Sequence, residues 1–412
     1  MPPPPKVAII GAGPAGMTLA HLLIKASSQV TIFEGEASPY VRGQGGTLDL
    51  HDDTGLKALK EIGLWEEFQE YARYDGEAMI IGDKNLKKYI YMGGATKETS
   101  RGRPEIDREK LRKILYEALP DGVVRWGSRL RSVDEDRTLR FDHGVETGFD
   151  LIVGADGAWS KVRPLLSKVE PYYSGIGGIQ SIVNDAENQH PELYRLVNRG
   201  SVFCYSDGKS LNAQQLGDGT ITVGSWTRRA EDWQRTCGYD VHDGKQVKKA
   251  LLKEFKDWNP QLLQFIELAD EQHFISRSLY MLPSGHRWDH RPGFTLIGDS
   301  AHLMSPFAGE GVNLAMADAL KLAQVLTASK KFEKDDAMDK AVKSFEEEMF
   351  SRAGIIAEVS KENMEDMLFT SGANPSTVTR FVRRILIGHI PWLKWLVPLW
   401  LVKLALRLFF RW

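Results

Sequence analysis

Three glycines near the start of the chain have the spacing of a phosphate-binding turn. They are Gly11, Gly13 and Gly16 in the segment GAGPAG, and a carboxylate, Glu34, follows about twenty residues later. In dinucleotide-binding motifs the first glycine permits a tight turn, the second lets backbone N–H groups approach a pyrophosphate, and the third lets a helix pack closely on a strand. The carboxylate accepts hydrogen bonds from a ribose diol. We therefore predict that these residues bind the adenosine end of FAD or NAD rather than that of NADP.

The elements around the glycines must place them at the end of a buried strand. The apolar run Val7 to Ile10 predicts that strand, and apolar residues at helical spacing from Ala15 to Lys25 predict the helix that follows. Val30 to Phe33 predicts a second strand that ends at Glu34. This order directs the positive end of the helix dipole toward the phosphates. The alternative is a tight glycine turn with no ligand.

Two further apolar runs predict strands that end in turns of the same kind. Phe149 to Gly154 is followed by Asp156 and Gly157, and Gly293 to Ile297 is followed by a glycine-rich segment that extends to residue 313. Continuous apolar runs are typical of parallel strands that are buried on both faces. We therefore predict a parallel sheet that carries three turns, in an α/β fold.

The segments between these strands predict the remaining elements. One helix is predicted from Asp52 to Ala72, strands of a side sheet over residues 76–105, and a separate sheet over residues 170–230. One long helix is predicted from Asp335 to Phe369. The chain therefore combines a parallel sheet with a second sheet and a long C-terminal helix.

Composition limits the class of protein. At 412 residues the chain suits two domains, and 42% hydrophobic with 26% charged residues is typical of a soluble globular protein. A net charge of −2 gives no overall attraction to nucleic acid or to an anionic membrane. Cys204 and Cys237 have neither a disulfide pattern nor metal-ligand spacing, and the N-terminal MPPPPK lacks the features of a signal peptide. We predict a cytoplasmic monomer with no metal site and no nucleic-acid partner.

Together, the three turns resemble those of FAD-dependent aromatic-hydroxylase-type monooxygenases, which have the para-hydroxybenzoate hydroxylase fold. Within that class the sequence most resembles the tetracycline-inactivating flavin monooxygenases. The resemblance spans roughly residues 6–370 and rests on four segments, GGTLDLH (Gly45 to His51), PEIDREKLRKIL (Pro104 to Leu115), SKVR (Ser160 to Arg163) and GDSAHLMSPFAGEGVN (Gly298 to Asn313).

The resemblance implies a Rossmann-like FAD-binding domain, a substrate-binding β-sheet domain and a long C-terminal helix. We place the two parts of the FAD-binding domain at 1–170 and 281–330, and the substrate-binding domain at 171–280. Residues 331–412 would form C-terminal helices that bridge the domains.

The resemblance also implies cofactor contacts. Asp299 would hydrogen-bond a ribityl or ribose hydroxyl of FAD, the alternative being a cap at a helix start. Asp49 and Arg108 would make further FAD contacts, the alternative being a surface ion pair or a cap. Asp156, with the glycine after it, belongs to a turn linked to both FAD and NADPH. Backbone N–H groups would approach the flavin from the segment that contains Pro306, Gly309, Gly311, Val312 and Asn313.

Other matched residues point to NADPH and to the substrate. Arg42 would contact NADPH, the alternative being an exposed loop arginine. Gln180, Asn363 and Met367 match residues of the substrate pocket. The sequence also departs from the pattern, since Gly35 stands where most relatives have an arginine next to the adenine. In the substrate sheet an arginine, an aromatic residue and a histidine of the tetracycline-inactivating enzymes are replaced by Ser201, Asn212 and Thr222.

The implied function is FAD-dependent hydroxylation of a polycyclic or aromatic small molecule, with tetracycline-like compounds included. NADPH would reduce the flavin, O2 would add at C4a, and the hydroperoxide would deliver one oxygen atom to the substrate. The alternatives are a flavin reductase that does not hydroxylate and a membrane-docked flavoprotein without turnover.

The C-terminal tail allows two interpretations. Residues 391–412 mix tryptophans with lysines and arginines, and they contain no uncharged stretch of roughly 18 residues, as a spanning helix requires. The tail could lie flat on a membrane surface as a peripheral contact, or it could cap the two domains.

Overall fold

The computed structural model describes residues 5–41, 45–328, 337–370, 374–389 and 402. The strands are β1 Lys6–Ile10, β2 Gln29–Phe33, β3 Thr47–Asp49, β4 Met79–Gly82, β5 Lys88–Met92, β6 Glu105–Asp107, β7 Val124–Arg125, β8 Leu130–Val133, β9 Leu139–Phe141, β10 Gly144–Glu146, β11 Leu151–Gly154, β12 Tyr172–Val183, β13 Ser201–Ser206, β14 Lys209–Gln215, β15 Ile221–Arg228, β16 Ile275–Met281 and β17 Phe294–Leu296. The helices are α1 Pro14–Lys25, α2 Gly55–Ile62, α3 Trp65–Tyr71, α4 Arg108–Glu117, α5 Ala186–Gln189, α6 Pro191–Val197, α7 Trp233–Thr236, α8 Gly244–Glu254, α9 Pro260–Glu267, α10 Asp299–His302, α11 Gly311–Ala328, α12 Ala337–Met364 and α13 Asn374–His389.

The chain divides into two compact units. Unit 1 comprises residues 1–72, 106–172 and 280–360, and unit 2 comprises residues 73–105, 173–279 and 361–412. Residues 73–105, which include the predicted strands of the side sheet, belong to unit 2. The reason is strand pairing, since β4 pairs in parallel with β13, with Ile80 opposite Val202.

Unit 1 contains a parallel sheet in the order β17-β11-β1-β2-β7. The central strand β1 pairs with β11 and β2, so that Ile9 lies opposite both Val153 and Ile32. Helix α1 packs against α11 and α2. The mixed α/β class with a Rossmann-like parallel sheet is therefore confirmed.

The sequence forms this sheet because its strands are apolar on both faces. Val7, Ala8 and Ile9 are fully buried, and so are Ile152 and Val153 of the neighbouring strand. Parallel strands run in one direction, so the turns that follow β1, β11 and β17 lie along one edge of the sheet. Ligands of open α/β sheets bind at that edge.

The segment that we predicted as one helix from Asp52 to Ala72 forms two helices. Gly63 ends α2 with a φ of 88°, a left-handed conformation that glycine adopts readily. Its N–H donates to the carbonyl of Leu59 at 3.1 Å. Helical periodicity continues on both sides of this break, and for that reason the pattern alone predicted a single helix.

Unit 2 contains a sheet in the order β16-β12-β15-β14-β13-β4-β5. Strand β15 alternates, with Ile221, Val223, Ser225 and Thr227 buried and the residues between them partly exposed. This period of two is typical of a sheet with one face on a core. The core beside the sheet includes Trp233, Phe255, Trp258 and Phe265.

The long C-terminal helix is also confirmed. Helix α12 is 28 residues long, and a π-helical turn, Glu365–Phe369, continues it. Of the tail, residues 391–401 and 403–412 lie outside the described residues, as does Arg42. Among the residues that the structure describes, no helix is both long and apolar enough to cross a membrane.

Candidate cofactor site

The first turn, between β1 and α1, depends on glycine at two positions. Gly11 has a φ of +107°, and a Cβ atom there would lie 2.3 Å from the carbonyl oxygen of Ala155. A Cβ atom on Gly16 would lie 2.1 Å from the carbonyl oxygen of Gly11. Both contacts are with backbone, which a side-chain rotation cannot relieve. These glycines therefore let α1 and the turn after β11 approach the end of β1.

Gly13 differs from its two neighbours. Its φ of −80° and ψ of 176° are accessible to any residue, and a Cβ atom there would meet no atom of the described residues within 4 Å, apart from its chain neighbours. Gly13 is the N-cap of α1, where backbone N–H groups have no partner within the helix. The turn is therefore open on the side where a phosphate would approach, and this openness fits a dinucleotide. Ala15, in the first turn of α1, is buried.

Glu34 lies directly after β2, as predicted. Its Oε2 accepts a hydrogen bond from the N–H of Ala12 at 2.8 Å, and its Oε1 accepts one from the N–H of Glu36 at 2.9 Å. These bonds fix the carboxylate beside the glycine turn. Each carboxylate oxygen has two lone pairs, so acceptor capacity remains for a ribose hydroxyl.

Gly35 lies against the backbone and the aliphatic part of Arg129. A Cβ atom on Gly35 would lie 3.5 Å from both Cα and Cβ of Arg129, which is exposed. Ser128 holds this segment in place, because its N–H donates to the carbonyl of Glu34 at 2.7 Å. Arg129 therefore lies next to position 35, the position at which most relatives have an arginine.

The second turn follows β11 and is linked to the third. Ser300 receives a hydrogen bond from the N–H of Gly157 at 2.8 Å and donates one to Oδ1 of Asp156 at 3.1 Å. Oδ2 of Asp156 accepts from the N–H of Lys161 at 2.7 Å. Burial raises the pKa of Asp156. Ser300 is fully buried, so the two turns are joined beneath the surface.

Arg163 places a buried cation beside these turns. Its side chain is 3% exposed, and within the described residues its Nη1 has no hydrogen-bond partner. Burial lowers the pKa of Arg163, while the charges of Asp156 and Asp299 oppose that shift. The unpaired N–H group of this buried guanidinium can donate a hydrogen bond to an acceptor atom of a bound ligand.

Asp299 begins α10, directly after β17. Its side chain is exposed, and within the described residues its carboxylate makes no hydrogen bond or ion pair. Although water reaches the side chain, the surrounding protein removes enough solvent to raise its pKa, while His302, Arg108 and Arg163 act in the opposite direction. An acceptor that is held in place and has no protein partner fits a ligand hydroxyl.

A buried network holds the backbone next to Asp299. Asp318 is fully buried and accepts from the N–H of Gly298 at 2.8 Å, from Nε2 of His302 at 2.6 Å and from Nη1 of Arg352 at 3.0 Å. Burial alone raises the pKa of Asp318, but the charge and the hydrogen bond of His302, together with Arg352, hold it below its usual range. Asp318 is therefore ionised, and its hydrogen bonds hold the turn that carries Asp299 in place.

The third turn brings together residues that are far apart in the chain. Asn313, in the first turn of α11, is fully buried, and its Nδ2 donates to the carbonyl of Asp49 at 2.9 Å. Its Oδ1 accepts from the N–H of His51 at 2.9 Å. Gly309 has a φ of +71°, and a Cβ atom there would lie 3.9 Å from Oδ1 of Asp49. The end of β3 and the start of α11 are thus held side by side.

The other predicted residues of this segment lie around the same turn. Pro306 begins a short 3-10 turn, and a Cβ atom on Gly311 would have no described residue within 4 Å outside its own helix and its chain neighbours. Val312 is partly buried against the core of unit 1. Arg108 is exposed at the start of α4, and a Cβ atom on Gly45 would lie 2.9 Å from its Cδ.

Four residues of these networks were missed from the sequence. They are His51, Glu310, Asp318 and Arg352, which bind to the predicted residues or to the turns that carry them. Two of them stand within the matched segments, but nothing in their spacing shows that they are partners. Only the fold brings them together.

The predicted substrate residues all lie in unit 2. Gln180, in β12, accepts from Nε of Arg277 at 3.1 Å, and buried Asn363 accepts from Nη1 of Arg384 at 2.8 Å. Met367 lies in the π-helical turn and is partly buried. Single-turn π-helices are frequent at functional sites.

The three replaced positions of the substrate sheet bond within that sheet. Oδ1 of Asn212 accepts from Oγ of Ser210 at 2.7 Å, and Oγ1 of Thr222 donates to the carbonyl of Gln214 at 3.2 Å. Oγ of Ser201 accepts from Nε2 of Gln214 at 3.4 Å. These short polar side chains offer no cation and no aromatic face to a ligand.

Three features of unit 1 are those of a dinucleotide-binding flavoprotein: the parallel sheet, the open glycine turn and the carboxylate of Asp299. The residues fit FAD. Comparison with known proteins agrees. The sequence model of the FAD binding domain family matches residues 5–357. Monooxygenase penA of Penicillium thymicola is 31% identical over 84% of this chain and 92% of its own length. The chain therefore belongs to the FAD-dependent monooxygenases of the aromatic-hydroxylase type.

Solved structures share the fold. HpxO of Klebsiella pneumoniae, in complex with FAD and uric acid, superposes with a TM-score of 0.74 at 19% identity, over 92% of each chain. Tetracycline destructase Tet(51) superposes with a TM-score of 0.67 at 19% identity, over 93% of this chain and 96% of its own.

Proposed function

We propose that the protein uses NADPH and O2 to hydroxylate an electron-rich polycyclic or aromatic small molecule. The observation that carries the proposal is Asp299, an exposed carboxylate with no partner among the described residues, held by a buried network at the edge of the parallel sheet. Bound FAD would supply the redox chemistry: NADPH would provide two electrons, one oxygen atom of O2 would enter the substrate by way of a C4a-hydroperoxide, and the other would leave as water.

In this proposal the residues of unit 1 hold the cofactor. The open turn at Gly13 receives the pyrophosphate, Glu34 accepts from a ribose hydroxyl, and Asp299 accepts from a hydroxyl of FAD. Asp49, Arg108 and Asp156 make further contacts. The N-terminal end of α11 presents backbone N–H groups to the flavin, and its dipole stabilises negative charge there.

For the substrate we propose a chemical class and three contacting residues rather than a single compound. Gln180, Asn363 and Met367 contact it, and the substrate-binding domain contains the sheet of unit 2. Tetracycline destructases share the fold, but Ser201, Asn212 and Thr222 replace three of the pocket residues that the resemblance implies. A polycyclic phenol therefore fits the proposal as well as a tetracycline does.

We expect the purified protein to be yellow and to carry non-covalent FAD. The glycine turn and Glu34 together form an adenosine diphosphate site, and FMN has no adenosine to fill it. Denaturation followed by chromatography of the released flavin checks this prediction. Release of FMN, or no flavin after reconstitution with FAD, would contradict the cofactor assignment.

We expect NADPH oxidation to rise with a suitable substrate and to yield a product one oxygen atom heavier. Tetracyclines and polycyclic phenols form the test panel, and mass spectrometry identifies the product. NADPH consumption that forms only hydrogen peroxide with every compound would favour the non-hydroxylating flavin reductase. FAD-loaded protein that consumes no NADPH at all would favour the docked flavoprotein.

The same assay tests the role of Arg42. Arg42→Ala should raise the Michaelis constant for NADPH and leave FAD content intact, because the proposed contact is with the reductant alone. Arg131→Ala is the control, since Arg131 pairs with Asp142 on the surface. Equal loss of activity with NADPH and with a chemical reductant would contradict the assignment.

A further inference from the structure

His51 lies between two carboxylates. Its Nε2 is 2.9 Å from Oδ2 of Asp49, and its Nδ1 is 3.3 Å from Oε2 of Glu310. The side chain of His51 is only 14% exposed. A neutral imidazole has one donor and one acceptor nitrogen, whereas an ionised carboxylate can only accept. Both contacts can be hydrogen bonds at once only when His51 carries two protons and a positive charge.

This imidazolium joins two separate segments. Asp49 is the last residue of β3, and Glu310 directly precedes α11. The neutral contacts of Asn313 join the same segments, since its side chain bonds to the N–H of His51 and to the carbonyl of Asp49. His51 adds the charged part of this connection.

The connection needs the charge because of the groups that face it. Within the described residues, the ionisable groups that contact the His51 ring are Asp49 on the β3 side and Glu310 on the α11 side. The other side chains that pack there, Thr54 and Asn313, are neutral and bond to each other at 3.2 Å. Without the imidazolium, two carboxylates would face each other across a partly buried space, and their repulsion would separate the segments.

We propose that His51 is a positioning residue for the flavin, whose positive charge holds the end of β3 and the start of α11 in the arrangement that binds FAD, so that loss of its proton weakens FAD binding. The proposal rests on the FAD site described above, because both segments carry proposed FAD contacts. It assigns a role to two residues, His51 and Glu310, that sequence analysis left without one.

The charges also determine the direction of the pH dependence. Burial lowers the pKa of His51, but the hydrogen bonds and charges of Asp49 and Glu310 outweigh burial and raise it to about 9 from the ordinary value of 6.5. A raised pKa means that the stabilisation is fully present below pH 6.5 and is lost as the pH rises through about 9. FAD binding should therefore weaken on the alkaline side.

The test measures FAD affinity as a function of pH. Flavin-free protein is titrated with FAD between about pH 7 and pH 9.5, and binding is followed by flavin fluorescence. For the natural protein we expect the dissociation constant to rise about tenfold across this range. A change of that size corresponds to a difference of roughly one unit between the pKa of His51 in the FAD-bound protein and in the flavin-free protein. For His51→Gln we expect weaker binding at pH 7 and a flat profile, because glutamine keeps a donor but cannot titrate.

Two further variants make the test specific. In Glu310→Gln the amide oxygen can still accept from His51, but one negative charge is gone, so the pH at which affinity falls should move downward. His143→Gln is the matched control, since His143 is an exposed histidine of the same unit. It should keep the profile of the natural protein. If His51→Gln does not fold, the natural protein and Glu310→Gln still give the answer.

The outcomes separate this inference from the proposed function. FAD binding with the same pH profile in the natural protein and in His51→Gln overturns the role of His51 and leaves the cofactor site intact. Absence of FAD binding at every pH overturns the cofactor site itself.

Discussion

Asp299→Ala is expected to weaken FAD binding roughly 10- to 150-fold, while the melting temperature of the flavin-free protein changes little. A hydrogen bond to a charged group contributes about 1.5–3 kcal/mol, which corresponds to that range of affinity. The side chain is exposed, and its carboxylate has no protein partner within the described residues, so its removal costs the empty protein little. Titration with FAD and thermal unfolding of the flavin-free protein measure the two quantities.

Two comparison variants distinguish this role from a structural one. Asp289→Ala removes an exposed aspartate of the same unit and should change neither quantity. Asp318→Ala removes a buried acceptor of three hydrogen bonds, so it should lower the melting temperature as well as FAD affinity. If Asp299→Ala binds FAD normally, the carboxylate is not a contact of FAD.

The parallel sheet could be predicted because its signals are local. The strand Lys6–Ile10 is a continuous apolar run, and the glycines after it stand at a fixed spacing. Glycine is required at position 11 because a Cβ atom there would collide with Ala155. The spacing of the motif identifies Gly11 without knowledge of that contact. Asp299, in contrast, was assigned through the resemblance of the segment Gly298 to Asn313 to the tetracycline-inactivating enzymes.

The charged networks could not be predicted because their members are distant in the sequence. His51 and Glu310 are separated by most of the chain, and Arg352 reaches Asp318 from a different helix. A single sequence contains no spacing that relates such residues. The same reason applies to residues 76–105, because β4 pairs not only with β5, its neighbour in the chain, but also with the distant strand β13.

The substrate residues show a further limit of sequence patterns. Matching placed Gln180 and Asn363 in a pocket, but it did not show that each accepts a hydrogen bond from an arginine, Arg277 or Arg384. An amide whose oxygen is bonded to a guanidinium has less acceptor capacity for a ligand. The arginines therefore belong in any mutational study of substrate choice, although no motif identifies them.

Gly11→Ala and Gly13→Ala are expected to affect different properties, folding stability in the first and FAD affinity in the second, although both change glycines of one motif. Alanine at position 11 would require a φ of +107° and would place a methyl group 2.3 Å from the carbonyl oxygen of Ala155. Strain of this kind, together with overpacking, costs about 2–4 kcal/mol of folding free energy. The flavin-free protein should therefore melt at a lower temperature or accumulate as aggregate.

Alanine at position 13 meets no such obstacle. The backbone there is accessible to alanine, and apart from its chain neighbours the added methyl group would have no described residue within 4 Å, so the melting temperature of the flavin-free protein should be unchanged or slightly higher. FAD affinity should nevertheless fall by roughly 5- to 150-fold, because the methyl group occupies space that the pyrophosphate needs, at an overpacking cost of about 1–3 kcal/mol. Thermal unfolding without FAD and titration with FAD separate the two effects. A Gly13→Ala protein that binds FAD as tightly as the natural protein would mean that the pyrophosphate does not approach this turn, and the open space at Gly13 would then have no role in binding.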